Sequence, residues 1–351
     1  MKLSIHTDDL QALLDSAHEA GYRFVAPVRE EGVTLFRPVR RAEEMVLEEI
    51  LPTKSPKEYF LAEHETILTY NMDGGGKMEI IDPPEAELSR PRVLFGVRPC
   101  DAAAAPIMSK VMTWDCEDSF FLKRREATVV VAIACVEADD ACFCTSVGLA
   151  PDSKEGADIL LEPTSERTGA RQEYAVTPLT DKGRAFIKQT KGWGEKTPKP
   201  SKAIKELREG LKPRFDVERV REWLKSGFND PFWRAATLAC LGCGTCTYLC
   251  PTCHCFDIVD EGDARGGRRV KNWDSCQMPL FTLHASGHNP RAQQWERFRQ
   301  RIMHKFRYYP ELFDRILCTG CGRCQRSCPA DMPMVGLLER ISELAAQPAS
   351  K

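Results

Sequence analysis

Two stretches of the chain repeat one cysteine pattern. Cys240, Cys243, Cys246 and Cys250 run into Pro251, and Cys318, Cys321, Cys324 and Cys328 run into Pro329, so C-x₂-C-x₂-C-x₃-C-P occurs twice. Two-residue gaps let a tight loop wrap three thiolates onto three irons of one cubane. Gly242, Gly244, Gly320 and Gly322 supply the backbone freedom and close approach that such wrapping needs. Paired C-x₂-C knuckles also serve zinc, but four cysteines within eleven residues closed by a proline suit a cubane better.

The fourth cysteine of such a run faces away from its own loop, and where two clusters share a chain it ligates the other one. The pattern predicts one [4Fe–4S] cluster on Cys240, Cys243, Cys246 and Cys328 and a second on Cys318, Cys321, Cys324 and Cys250. Two adjacent redox centres make an electron path and not merely a staple.

The remaining cysteines are less regular. Cys135, Cys142 and Cys144 follow an apolar run (TVVVAIA), and Cys100 ends another (FGVRPCD). Strand ends are where a sheet presents ligands. If the two strands are neighbours, these four thiols converge on a third cubane or a zinc; otherwise they are buried free thiols. Cys116 fits no spacing. Cys253 and Cys255 in CPTCHCFD and Cys276 in NWDSCQ exceed what two cubanes need; they make a small zinc or redox site with His254, or pack as small hydrophobes. His284 and His288 belong to no hydrolase or metalloprotease signature and read as structural. Arg297, Arg299, Arg301, His304 and Lys305 form a basic helical run, by default a solvated face, alternatively a docking surface or a device that raises cluster potential.

Nothing else in the sequence supports a catalytic centre. G-x-G-x-x-G after a strand and the P-loop are both missing, and Asp73–Gly76 in NMDGGGK reads as a hairpin turn. The sixteen cysteines fall between 100 and 144 and between 240 and 328, a clustering that fits metal ligands in a reducing compartment and not a disulfide framework. A formal charge of −2 recruits neither nucleic acid nor an anionic membrane. The N-terminus carries no leader-like apolar core, and no stretch approaches the roughly 20 apolar residues of a membrane span, so a cytoplasmic, unanchored protein is expected.

The elements that must hold these cysteines are legible in outline. Thr7 reads as the N-cap of an amphipathic helix ending at Gly21, followed by extended stretches at Val33–Val39, Glu44–Ile50, Val93–Val97 and Thr128–Ala134. The segment Lys188–Pro213 is rich in lysine, glycine and proline and reads as a linker. Beyond it, Asp216–Ser226, Asn289–Lys305 and Met334–Ala346 have helical spacing. The expected fold is α+β: a mixed α/β sheet domain over 1–200 with the candidate third metal site, then a mostly helical, ferredoxin-like domain over 201–351.

GVRPCD, the Cys135–Cys144 CFC segment, CPTCHCFD, WDSC, HASGHNPR, RQRIMHKF and CTGCGRCQRSCP together resemble the 4Fe–4S dicluster family. That family includes the β subunit of cytoplasmic nickel–iron sulfhydrogenases, an iron–sulfur subunit of anaerobic sulfite reductase and subunits associated with heterodisulfide reductases. The resemblance runs from about Gly96 to the end; the first 95 residues match loosely. It implies an oxygen-sensitive subunit of an anaerobic oxidoreductase complex. Such a protein relays electrons between a flavoprotein subunit that binds FAD and NAD(P)H, on one side, and a terminal subunit reducing protons, sulfur, sulfite or a disulfide on the other. The resemblance also strengthens the third cluster on Cys100, Cys135, Cys142 and Cys144. The competing readings are a self-contained reductase with substrate at an N-terminal cluster and a zinc-binding interaction module.

Overall fold

The apolar run expected to be a buried central strand is one: every residue of Thr128–Ile133 is buried. The computed structural model describes residues 3–73, 76–168, 171–196 and 198–347. Its strands are β1 (Leu3–His6), β2 (Arg23–Glu30), β3 (Val33–Pro38), β4 (His64–Met72), β5 (Met78–Ile81), β6 (Arg92–Val97), β7 (Thr128–Ile133), β8 (Ile159–Thr168), β9 (Arg171–Pro178), β10 (Phe256–Gly262) and β11 (Gly266–Trp273).

Seven of them form a mixed sheet in the order β1-β9-β8-β7-β6-β2-β3. The inner strands β8, β7, β6 and β2 run parallel, and β3, β9 and β1 add antiparallel edges. Parallel strands need helices on both faces, which explains the continuous apolar runs of β6 and β7. One face is covered by Leu10–Glu19 and Asp181–Gln189, burying Leu13, Phe95, Val131 and Phe186. The other is covered by Ala104–Met112 and Ser119–Glu126, burying Leu94, Met108, Phe121 and Val130. Those two helices lie on the crossover from β6 to β7, whose ends are in register through Val97↔Ala132. Cys100 and Cys135 therefore leave adjacent strands at the same end of the sheet.

The expected boundary at residue 200 is crossed by hydrogen bonds. A second, antiparallel sheet has the order β10-β11-β4-β5, so two strands from between the cysteine motifs pair with two from the N-terminal part. The C-terminal part thus contains a β-hairpin besides its helices. Lys271 on β11 pairs with Glu65 of β4 at 3.1 Å and, through Asp118 at 3.0 Å, ties this sheet to the helix Ser119–Glu126 on the first, all three half-buried or better. The hairpin expected at Asp73–Gly76 does join β4 to β5, with Lys77 N donating to Asp73 Oδ1 at 2.8 Å; Gly74 and Gly75 lie outside the described residues.

Other expectations change in detail. Thr7 does not cap its helix; it starts a 3₁₀ turn, and its hydroxyl accepts from Gln172 N at 3.1 Å. The stretch Glu44–Ile50 joins no ladder: Glu44 ends a 3₁₀ turn, Val46 N donates to Pro27 O at 2.8 Å, and Leu47 fills the space a side chain at Gly96 would need. The lysine-rich segment 188–213 is tied down. Gly194 bridges to Ser4, Pro200 to Thr164, and Ile204 of the helix Lys202–Gly210 is buried in the core. Thr197 lies outside the described residues.

The C-terminal helices pack around Trp233, Phe298, Ile302, Phe306, Leu338 and Ile341. Burial of each of the Phe, Ile and Leu side chains contributes roughly 1.5–3 kcal/mol relative to exposure. Asp216 caps the helix Val217–Ser226 by accepting from Glu218 N and Arg219 N. Phe143, from the cysteine loop after β7, inserts into this core beside Phe215 at 6.0 Å. The loop carrying Cys142 and Cys144 is thereby seated on the dicluster region.

Candidate metal centres

The cysteines are brought together in three places, each set around a cavity. The first cavity is lined by Cys240, Cys243, Cys246, Cys324 and Cys328. The second is lined by Cys250, Cys318, Cys321 and Cys324. The third is lined by Cys100, Cys135, Cys142, Cys144 and Cys321. No disulfide joins any of them. Cys328 lines the first cavity and Cys250 the second, while Cys324 lines both.

Local geometry explains the glycines. Gly242 and Gly244 have φ of 69° and 78°, and Gly320 and Gly322 of 65° and 75°, the left-handed region. At the second loop there is a further reason: a Cβ on Gly320 would lie 2.5 Å from Cys144 Cα, and one on Gly322 2.3 Å from Ala141 O. The third set can approach the second only because these residues lack side chains. Phe143 N donates to Gly320 O at 3.0 Å and locks the approach.

The three cavities form a row. Cys321 lines both the third and the second, and Cys324 lines both the second and the first. Cys250 and Cys321 in the middle are buried, whereas Cys243 at one end is exposed. The opposite end opens between Ile50, Leu51, Glu137, Leu207 and Leu211.

Burial dominates the thiols' acidity. It pushes Cys318 and Cys246 up to about 11 and Cys144 and Cys321 up to about 12, and raises Cys100 and Cys135. Exposed Cys243 goes the other way, held low by its hydrogen bond to Thr245 at 3.3 Å.

Cations, all buried except Arg326, face these thiols. Lys305 Nζ lies 3.4 Å from Cys250 Sγ and also donates to Thr252 Oγ1 and Leu317 O. It stands in a π-helical turn, His304–Tyr308, which re-aims it relative to the preceding helix. Arg301 donates to Cys246 O at 3.1 Å. Arg326 donates to Cys142 Sγ at 3.0 Å. Arg323, between the second and third cavities, forms a bidentate pair with Asp101, whose Oδ2 is 2.7 Å from Nη2. In the run Arg297, Arg299, Arg301, His304 and Lys305, expected by default to be a solvated face, the four cations are buried and His304 is half-buried; Arg301 and Lys305 lie beside the cysteines, while Arg297 and Arg299 donate to the Gln277 and Phe228 carbonyls. Charged residue types do not reveal that placement when the group they neutralise is not itself a residue.

These sites fit an anionic multi-iron group. Arg98 Nε, Arg301 Nε and Thr319 Oγ1 are buried without a hydrogen-bond partner in the protein, and each of these residues lines one of the cavities. The sulfurs ring a volume; among the described residues no three Cys, His, Asp or Glu converge as they would on one ion. Thiol donors, partnerless buried donors and surrounding cations are the complement of a thiolate-ligated cubane.

Residues 239–332 match the 4Fe–4S dicluster domain family. Residues 239–332 are thus a 4Fe–4S dicluster domain, and the cysteines clustered there indicate [4Fe–4S] clusters. Over its length it is similar to sulfhydrogenase 2 subunit beta of Pyrococcus furiosus, with 29% identity across 353 residues, 97% of this chain and 98% of that one. The likeness to sulfhydrogenase β subunits therefore extends into the first 95 residues, which the sequence motifs left unassigned. No solved structure matches the chain. Among the described residues no helix is long and apolar enough to cross a membrane.

Proposed function

We propose that the chain is the electron-relay subunit of an oxidoreductase complex, with three [4Fe–4S] clusters held in a row. The carrying observation is the shared wall: Cys321 and Cys324 each border two of three consecutive cavities. The ligand sets are Cys240, Cys243, Cys246 and Cys328; Cys318, Cys321, Cys324 and Cys250; and Cys100, Cys135, Cys142 and Cys144. When bound, such a cluster supplies one-electron transfer at a potential set by charge, hydrogen bonds and solvent exposure.

The protein's part is to fix spacing and charge. The loops Cys240–Cys250 and Cys318–Cys328 interlock through their fourth cysteines, and Gly320 and Gly322 admit the third set. Lys305, Arg301, Arg323 and Arg326 offset the negative charge of the thiolates, and the aromatic core around Phe143 excludes water from the middle position. Cys243 at one end and the mouth near Ile50 and Leu211 at the other provide two entry points. A relay with two such ends needs a donor and an acceptor. We assign these roles to a flavoprotein subunit that binds FAD and NAD(P)H, and to a terminal hydrogenase or reductase subunit, in line with the name of the Pyrococcus furiosus relative. A self-contained reductase would need an open iron, hence three thiols; the third set has four.

Iron and acid-labile sulfide counted on anaerobically purified protein test this reading. About twelve irons per chain are expected, falling by about four in the Cys142→Ser/Cys144→Ser variant. About eight irons, unchanged by that variant, would remove the third centre; zinc without sulfide would end the relay proposal.

A further inference from the structure

A further cavity, of about 670 Å³, lies beside the third cysteine set. It opens past the carboxyl ends of β6 and β7, where a sheet of this kind leaves a crevice for ligands, and its size falls within the roughly 300–1,000 Å³ of small-molecule sites. Its floor is buried and apolar, made by Leu10, Ile133 and the ring of Tyr174. Its roof is Met45 and Leu47, from the stretch that joins no ladder. Arg98 and Cys135 line this space and the third set's cavity alike, so the two share a wall.

The charge around it is one-sided. Among the described residues the lining holds four exposed carboxylates, Asp8, Glu43, Glu48 and Glu137, against one cation, Arg98. Arg98 donates through Nη2 to Leu47 O at 2.8 Å. Asp8 pairs with Arg171 at 2.8 Å and Glu43 with Arg41 at 2.9 Å, and both of those arginines stand outside the lining. Counting them still leaves the rim acidic by one charge.

We propose that this cavity binds a small, flat aromatic cation, a one-electron carrier of the N-alkylpyridinium class, at the open end of the relay. The apolar floor and the Tyr174 ring take the body of such a ligand, and the carboxylate rim takes its charge. The same rim repels phosphorylated carriers, so selection is by exclusion as well as by fit. Exchange moves one electron between ring and relay, with no bond made or broken and no proton transferred; whichever side gives the electron is oxidised and the other is reduced. The wall shared through Arg98 and Cys135 makes this position useful, and that part of the proposal rests on the relay reading.

The test titrates oxidised methyl viologen, a dication, into anaerobically purified holoprotein by calorimetry at low ionic strength. Expected is one saturable site per chain, weakened roughly tenfold in Glu48→Gln/Glu137→Gln and weakened by added salt. Glu218→Gln/Glu222→Gln, on the exposed side of the helix Val217–Ser226 and outside the cavity, should leave binding unchanged. Uncharged 4,4′-bipyridine should bind at least about tenfold more weakly, and flavin mononucleotide should not compete. Absence of saturable binding overturns the site. Equal weakening in the two double variants also overturns it, since that would be diffuse attraction to an acidic surface, and so does bipyridine binding as tightly as the dication. Iron counted on the same samples judges the relay separately: about twelve irons without binding would sink this proposal alone, and about eight irons with binding intact would remove the third centre and leave the site standing.

Discussion

Arg323 and Asp101 offer the sharpest test of how the N-terminal sheet is fastened to the dicluster loops. The pair is bidentate, with the side chains 2% and 0% exposed, and Arg323 Nε also donates to Pro52 O at 2.9 Å. It joins the residue after Cys100 to the residue before Cys324, across the wall between the second and third cavities. Removing one partner strands the other charge in the interior, at a cost of about 3–5 kcal/mol. Asp101→Asn and Arg323→Gln should each lower the thermal midpoint by roughly 5–15 °C. The double variant should recover part of that loss, because two amides can pair without a buried charge. A double-mutant cycle by anaerobic thermal unfolding, with iron counted in parallel, reads the coupling. The single variants should lose third-centre iron first. Additivity of the two substitutions within about 0.5 kcal/mol would refute the argument, since it would show that the pair stabilises nothing jointly.

Four further outcomes follow. Lys305→Met removes a cation near Cys250; a unit charge at about 8 Å with an effective dielectric near 20 contributes about 2 kcal/mol, so the second centre's potential should fall by roughly 90 mV in a redox titration followed by paramagnetic resonance. Gly322→Ala places a Cβ against Ala141 O at a positive φ and should cost iron at the third set while the first keeps its own, which site-resolved spectra would show. Cysteines raised to about 11 or 12 from an ordinary value of 9.0 bind protons more tightly folded than unfolded. The iron-free protein should keep their contribution below pH 9 and lose it as the pH rises through 11 to 12, measurable by denaturant midpoints. Cluster loading runs the opposite way: the thiols must give up protons, so reconstitution should strengthen between pH 6.5 and 8.5, and a flat profile would count against thiolate ligation.

The site was more legible than the fold. Both repeats declare themselves by spacing, because a loop that wraps a cubane is a local object. Cys100 and Cys135 could be placed together because β6 and β7 are continuous apolar runs of the kind buried parallel strands require. The second sheet left no such trace. All of β5 and β10 is exposed, so no alternation of buried and open positions marks them, and nothing local announces that β11 pairs with β4. The basic run left two readings open for a related reason: its spacing alone does not say that Arg301 and Lys305 face Cys246 and Cys250 from the interior.

The second sheet bears on how the protein comes into being. His64 and Asn272 hydrogen-bond from positions 208 residues apart. At a synthesis rate of about 5–20 residues per second, β4 would wait roughly 10–40 s for its partner strand. During that interval β4 presents an unpaired edge, and β5 beside it shows Met78, Ile80 and Ile81 to solvent. Native pairing between such distant segments closes slowly, and cysteine loops on either side of β10–β11 cannot interlock before it does. A nascent or truncated chain ending near residue 200 is therefore a candidate for aggregation, and production of the full chain should depend on chaperones that shield β4 until the hairpin arrives.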